Sequence, residues 1–517
     1  MNNCKSKLDL SSLLLSFYTS VVWALYIFIN FTKNFRFILI LSPFIFAAAY
    51  AVFYPLTKWL RKMQPDNETY SKKNKLSVFI ISALVSFAVM MVWFQVYAPG
   101  CFVTDPLRQY GQAVTGNYND WHPVWHTFLF YTIPLKLTNN VNSIVFLQLI
   151  YFALTMGYMS LTISELWNIK AGVISLIYIL FNPFVCFTML YPYKDIAFAL
   201  AALNCFIISV RLIYRENQTS KTWKLILFAF LLASATIFRH NAVLFTFPLL
   251  IALFLQIEKK TSVKIIVFTL IAVFIIKVPV YSMLEVEKPD SRVEETMGLP
   301  LTVIGNVAKC VPEISDKELS EFAYTIAPKE KWQSDYYCGS YNSIKWTGID
   351  NSVIEKTGQL GILKLTLKSF YLYPIESFEG LIKLTDMVYG FEDGLDGNQR
   401  SFLPPNDYGI VYPENRNMNL VNLLETYSDF IDNSIFVYLR TYGVVLLAIL
   451  TAALSQLNFT SWASWKKIFM AVPIFAYDFG TMLLLSGPDS RFFFITFLVA
   501  PLTIVFLMTN REEKKYE

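Results

Sequence analysis

The 517-residue chain is short of charge, of cysteine and of histidine, and each shortage closes off a class of protein. Only 16% of its residues are Asp, Glu, Lys or Arg against 55% hydrophobic, and the mean hydropathy is +0.45. A water-soluble globule of this length does not carry so little charge, so the chain reads as an integral membrane protein. Six cysteines (Cys4, Cys101, Cys186, Cys205, Cys310 and Cys338) are too few and too scattered for a disulfide scaffold, and no CxxC pair suggests a metal knuckle. Three histidines leave little room for a histidine-rich metal site. No Walker A sequence and no GxGxxG between strand and helix is present, so no nucleotide-phosphate loop is expected. Internal repeats and low-complexity tracts are absent too. The net charge of +5 is no nucleic-acid signal, because the basic residues sort by membrane side.

What the chain has in quantity is apolar sequence, in runs close to the ~20 residues that span a bilayer. They lie near 11–30, 36–56, 76–97, 142–164, 171–189, 195–214, 223–239, 241–257, 263–283, 434–455, 466–486 and 491–510, which predicts about 12 transmembrane helices. The first is long for a signal peptide and lacks a small-residue cleavage site, so it reads as a retained anchor. The stretch 123–137 is apolar but short, and Pro123 and Pro134 bracket it, which predicts a re-entrant or surface-lying helix.

The distribution of basic residues tests that choice, since a span at 123–137 inverts every later loop. With it non-spanning, one face carries Lys5, Lys7, Lys58, Arg61, Lys62, Lys72, Lys73, Lys75, Lys170, Arg211, Arg215, Lys221, Lys224, Lys259, Lys260, Lys264, Lys466, Lys467, Arg511, Lys514 and Lys515. The short loops of the other face carry Lys33, Arg36, Arg108, Lys136, Lys194, Arg239 and Arg491. A split of 21 to 7 predicts a multi-pass protein of the cell membrane with both termini cytoplasmic. The expected organisation is an N-terminal membrane domain (1–283) with an external loop at 98–141, a small α-rich extracytoplasmic domain at 284–433, and C-terminal transmembrane helices at 434–517. The 284–433 segment holds 24 acidic against 13 basic residues, and Trp332, Tyr336, Tyr337, Trp346 and Phe370 are its candidate core. Cys310 and Cys338 both fall in it, as a disulfide or as two free thiols.

Four polar clusters fall at span ends on the expected outer face. They are Asp105-Pro-Leu-Arg108-Gln-Tyr110, running on to Asn119-Asp120-Trp121-His122-Pro123; Tyr193-Lys194-Asp195; Arg239-His240-Asn241; and Asp489-Ser-Arg491. Taken singly, each has a plainer reading: Asp105 and Asp195 as helix caps, Arg239 and His240 as headgroup contacts, Asp489 with Arg491 as a hairpin ion pair. Their convergence on one face points instead to a cavity, because charges at such depth are costly unless they face one. His122 and His126 share a helical face four residues apart with Asp120 nearby, but Pro123 at a first helical position makes this a helix start. No metal site is assigned and no cofactor is expected, a divalent metal being the one alternative.

An acid beside fixed cations at a membrane surface suits group transfer from a lipid-phosphate donor. The carboxylate takes the proton of an attacking hydroxyl, and the cations hold the departing phosphate, Arg in bidentate fashion. At this point the sequence resembles a known family. The early acid (Asp105) with its amphipathic loop, the Lys194-Asp195 pair opening a later span, the Arg239-His240-Asn241 turn and the late Asp489-Ser-Arg491-Phe look like the GT-C superfamily of multi-spanning glycosyltransferases. The DWHP, KD and RHN elements are similar to those of a bacterial glycosyltransferase-like membrane family. The resemblance covers most of the membrane domain. It implies a GT-C-like all-α fold, a polyprenyl-phosphate sugar donor and inversion at the anomeric carbon. It also implies Asp105 as the first-loop catalytic acid, and Asp195 as the second acid, which positions acceptor or metal. The superfamily often shows two adjacent acids at the first position, whereas Pro106 follows Asp105. The expected assignment is therefore Asp105 and Asp195 catalytic, with Lys194, Arg239 and Arg491 binding donor phosphate. Arg108, Tyr110, Asp120, His122, His240, Asn241 and Asp489 line the acceptor cavity. Expected partners are the lipid-linked sugar, a cell-envelope acceptor (glycan, lipid or protein) and membrane lipid, with no nucleic acid. The rival reading, a transporter or a lipid or polysaccharide flippase, wants charges at the midplane and repeated halves, which the sequence lacks.

Overall fold

The structure is a computed structural model that describes residues 9–65, 72–214, 221–289, 293–391 and 403–509. Cys4, Lys5, Lys7, Arg215, Arg511, Lys514 and Lys515 lie outside the described residues. Among the described residues the chain is helical throughout, and the only β pairing is two isolated bridges, Asn119 with Glu287 and Tyr337 with Ser340. Each of the twelve apolar runs carries helix. Seven helices are long and apolar enough to cross a membrane: Leu10–Asn30, Phe35–Leu60, Lys73–Tyr97, Asn142–Leu166, Lys194–Tyr214, Lys259–Met283 and Ser490–Met508. The protein is thus a helical membrane protein.

The other five runs form shorter or broken helices for local reasons. In the 171–189 run the helix Ile169–Leu180 stops, Asn182 caps a second start by accepting from Phe184 N–H, and Pro183 takes the first helical position. In the 434–455 run a 3₁₀ turn, Ile435–Arg440, precedes the helix Tyr442–Gln456. The bracketed stretch after Pro123 is one continuous helical path, Val124–Thr127, a π turn at Phe128–Thr132 and Ile133–Thr138, closed by Asn139 in the left-handed conformation (φ 52°).

Most buried apolar side chains belong to one core inside the bundle. A second core runs from Leu301 to Leu365 around Trp332, Tyr336 and Tyr341. Of the aromatic residues expected there, Trp332 and Tyr336 are fully buried, but Tyr337 and Trp346 are exposed. The backbone at Tyr336 is extended, so the next side chain points to the opposite side, and Trp346 lies under the Lys345 ammonium at 4.8 Å instead of in the core. Phe370 pairs edge-on with Phe378.

The helix Pro374–Tyr389 joins the two cores. Gly380 lets it close on Asn306, Glu379 pairs with Lys33 in the turn between the first two helices, and Leu384, Met387 and Val388 enter the main core. It descends along Leu10–Asn30, with Ile375 and Ile382 packed in a cluster with Phe28 and Ile38, and Phe391 beside Trp23, halfway along that helix. There its end abuts the start of Tyr442–Gln456 so closely that a Cβ on Gly443 would stand 2.1 Å from the Gly390 carbonyl oxygen and 2.4 Å from that of Tyr389. Neither carbonyl is the tip of a flexible side chain, so the contact has no easy relief. Gly443→Ala should therefore lower stability by about 1–3 kcal/mol, read as a drop in thermal unfolding temperature in detergent; an unchanged Tm would show that the junction is loose.

Candidate active site

All four polar clusters meet at one end of the bundle. Asp105 sits in the first turn of the helix Thr104–Thr115, where an acid suits the helix dipole and Pro106 forfeits no hydrogen bond. It is not the cap, which is Val103. Its Oδ2 instead accepts from Arg491 Nη1 at 3.0 Å. Arg491 belongs to the 3₁₀ turn Ser490–Phe493, whose N-cap Asp489 accepts from Arg491 N–H and meets Arg491 Nε at 2.8 Å. The guanidinium lies over the Tyr193 ring, 4.4 Å from its centroid. One arginine thus ties two acids from opposite ends of the chain.

The second ionic pair is deeper. Arg239 Nη1 stands 2.6 Å from Asp195 Oδ1, with side chains 8% and 1% exposed. The N–H directions do not suit a hydrogen bond, so this is charge contact without alignment, and neither oxygen of Asp195 has a hydrogen-bond donor among the described residues. Arg239 also packs over the Phe492 ring at 4.2 Å. The segment that presents Lys194 and Asp195 is pinned from below: Gln148 donates to the carbonyls of Met189 (2.8 Å) and Tyr191 (2.9 Å), Cys101 N–H to Leu190, and Tyr131 to Pro192. Lys194 differs from the two arginines. Its ammonium has no carboxylate within ion-pair distance among the described residues, and its contact is His122 Nδ1 at 3.3 Å.

The remaining expected residues divide. Asp120 is engaged locally, accepting from Lys277 Nζ (2.7 Å), Tyr281 OH (3.1 Å) and Val124 N–H (3.3 Å). Asn241 donates to Thr481 at 2.8 Å, and His240, exposed, reaches the backbone of Trp121. Tyr110 meets the Tyr408 ring edge-on at 5.2 Å, and Arg108 is exposed with no ion pair among the described residues. His126 is fully buried and bonds Gln109 Nε2 at 2.9 Å, a packing role. Sequence reasoning missed Lys277, although a lone lysine inside the 263–283 run was a usable signal. Tyr193 and Phe492 lie in the quoted motifs, but their role as rings under Arg491 and Arg239 was not assigned from sequence. Among the described residues no three His, Cys, Asp or Glu side chains converge as a metal-ligand set.

Electrostatics follow from these contacts. Burial alone raises the Asp105 carboxyl, but the Arg491 and Lys194 cations hold it below its ordinary value, so it stays ionised. Burial and then Lys194 push the His122 imidazole down to about 3, and burial takes His126 to about 3. Burial and Lys194 lower His240 also. Comparison with family models, with curated proteins and with solved structures finds no match for the chain.

Two outcomes are expected. Arg239→Ala strands the Asp195 charge and should cost about 3–5 kcal/mol in denaturant unfolding, largely restored by adding Asp195→Asn; no loss in the single variant would dissolve the pair. The unfolded chain takes up protons on His122 and His126 near pH 6.5 that the native state takes up only near 3. Stability from these groups is therefore complete above pH 6.5 and declines as pH falls toward 3. His122→Gln should flatten that decline, measured as Tm against pH.

Proposed function

We propose that the protein is an integral-membrane glycosyltransferase of GT-C type. It moves a sugar from a polyprenyl-phosphate donor to a cell-envelope acceptor outside the cytoplasm, with inversion. The observation that carries the reading is the meeting of Asp105, Asp195, Lys194, Arg239 and Arg491, from four separate segments, at one end of a membrane helix bundle. In this reading about twelve spans place both termini in the cytoplasm and the cluster on the outer face, with the part of 284–433 built on the Leu301–Leu365 core as the external portion that covers the site.

The chemistry assigns one atom at a time. Asp105 Oδ2 is held by Arg491, which leaves Oδ1 to accept the proton of an acceptor hydroxyl. The hydroxyl oxygen bonds to the anomeric carbon as the bond from that carbon to the phosphate oxygen breaks on the opposite face. The electron pair leaves with the lipid phosphate. A carboxylate held this acidic is a weak base for a free hydroxyl. It suits a late proton transfer, when positive charge on the sugar has already acidified the attacking oxygen. Lys194, with no ion pair among the described residues, meets the phosphate; Arg491 lies beside it, and Arg239 keeps Asp195 in place.

Protein in nanodiscs, given a radiolabelled polyprenyl-phosphate sugar and envelope extract as acceptor, should release free polyprenyl phosphate. Movement of solute across vesicles without chemical change would instead make it a transporter. Asp105→Asn should lower transfer about 10²–10⁴-fold with an unchanged protein level in the membrane, and retained activity would remove Asp105 from the base role.

A further inference from the structure

Beside the charged cluster lies an open cleft of about 500 Å3, bounded by the helix Thr104–Thr115, the turn through Asn117–His122 and Tyr408. Its lining is amide and aromatic: Gln112, Asn117 and Asn119 supply hydrogen-bonding groups, and Trp121 and Tyr408 supply ring faces. Amides that bond hydroxyls and rings that stack on the apolar face of a pyranose are the chemistry of carbohydrate binding. Tyr408 is a placed wall. Its N–H is held by Asn406 Oδ1, and its hydroxyl fits only because residue 111 is glycine, where a Cβ would come within 2.2 Å of that oxygen.

Two features say more about the occupant. Arg108 is the only charged side chain among the described residues that line the cleft, it is exposed, and it has no ion-pair partner among them. His122, 2% exposed, has Nε2 with no partner. An ammonium has only protons to give, so Lys194 fixes His122 Nδ1 as the acceptor and leaves the proton on Nε2. The cleft is therefore bordered by a buried, neutral imidazole and carries Arg108 as a cation with no ion pair among the described residues.

We propose that this cleft is a binding site for an anionic glycan, a chain of sugars bearing carboxylate or phosphate groups, with the negative group against Arg108 and ring hydroxyls against the amides of Gln112, Asn117 and Asn119. Calling it the acceptor site rests on the glycosyltransferase reading; the binding itself does not. The cleft has no acid among its described lining residues to repel such a chain, and its Arg108 lies one turn along the helix Thr104–Thr115 from Asp105, the proposed base.

The test is calorimetric titration of the full-length protein in nanodiscs, with no sugar donor present, against maltotriose, a galacturonic acid trimer and phosphorylated maltotriose. One or both anionic trimers should bind about five- to tenfold tighter than maltotriose, and whichever does identifies carboxylate or phosphate as the group recognised. Arg108→Gln, a change at an exposed position, should bring that trimer to the affinity of maltotriose. Gly111→Val, which drives Tyr408 off its seat, should weaken all three. Equal affinity for charged and neutral trimers, an unchanged preference in Arg108→Gln, or no binding of any trimer each overturns the proposal. Binding that follows this pattern in a protein that releases no polyprenyl phosphate would sink the transferase reading and leave the glycan site standing.

Discussion

The site is organised by the need to neutralise charge where water is scarce. Asp195 and Arg239 are almost wholly enclosed, and neither is tolerable there without the other. That requirement fixes the start of the Lys194–Tyr214 helix against the turn after Thr222–Phe238. Phe492, under Arg239, then brings in the turn that carries Asp489 and Arg491. Arg491 passes the constraint on to Asp105, 386 positions away in sequence. The Thr104–Thr115 helix has little apolar surface of its own to lose and takes its place from this contact and from Gln109, which bonds His126 and Thr127. Two arginines shared among three acids thus set the relative placement of four segments that lie far apart in the sequence.

Much of this was legible in the sequence, and what was not has a physical reason. The apolar runs announce themselves because a bilayer demands them, and all twelve carry helix. The four clusters converge because charges at span ends have nowhere else to be. Partner choice was hidden: that Asp489 shares Arg491 with Asp105, or that Asp120 turns to Lys277, depends on how helices far apart in sequence pack. Helix breaks were hidden, since an apolar run continues across one such as Asn182-Pro183 without any change in composition. Burial within the Leu301–Leu365 core was half legible. Adjacent aromatic residues in extended backbone face opposite ways, so only one of Tyr336 and Tyr337 can be inside.

The junction at Gly390 and Gly443 has a bearing on the site. The helix Tyr442–Gln456 starts there, and Tyr442 donates its hydroxyl to the carbonyl of Ser490, between Asp489 and Arg491. The path from the Pro374–Tyr389 helix to the arginine that holds Asp105 is therefore two contacts long. Glu379, on that same helix, is held by Lys33 and Lys383. The Leu301–Leu365 core and the ionic cluster are mechanically continuous through one helix, not separate modules joined by a tether.

The cations of the site are not equivalent, and the difference decides where an incoming anion can go. To engage Arg239, an anion has to displace a carboxylate that is 1% exposed and leave it unpaired in the core, a cost of several kcal/mol. Arg491 already divides its guanidinium between two acids, and a third negative group there adds like-charge repulsion to whatever it gains. Lys194 lies in the field of Asp105 and Asp195 but makes no ion pair among the described residues that an anion would have to break. Its neighbour is a neutral imidazole, and its compact ammonium can turn a proton toward an anion without surrendering a pair. The sequence offers three basic residues of apparently equal standing, Lys194, Arg239 and Arg491. The geometry leaves one of them without an ion pair among the described residues, and it is the one whose contact also orients His122, which lines the neighbouring cleft.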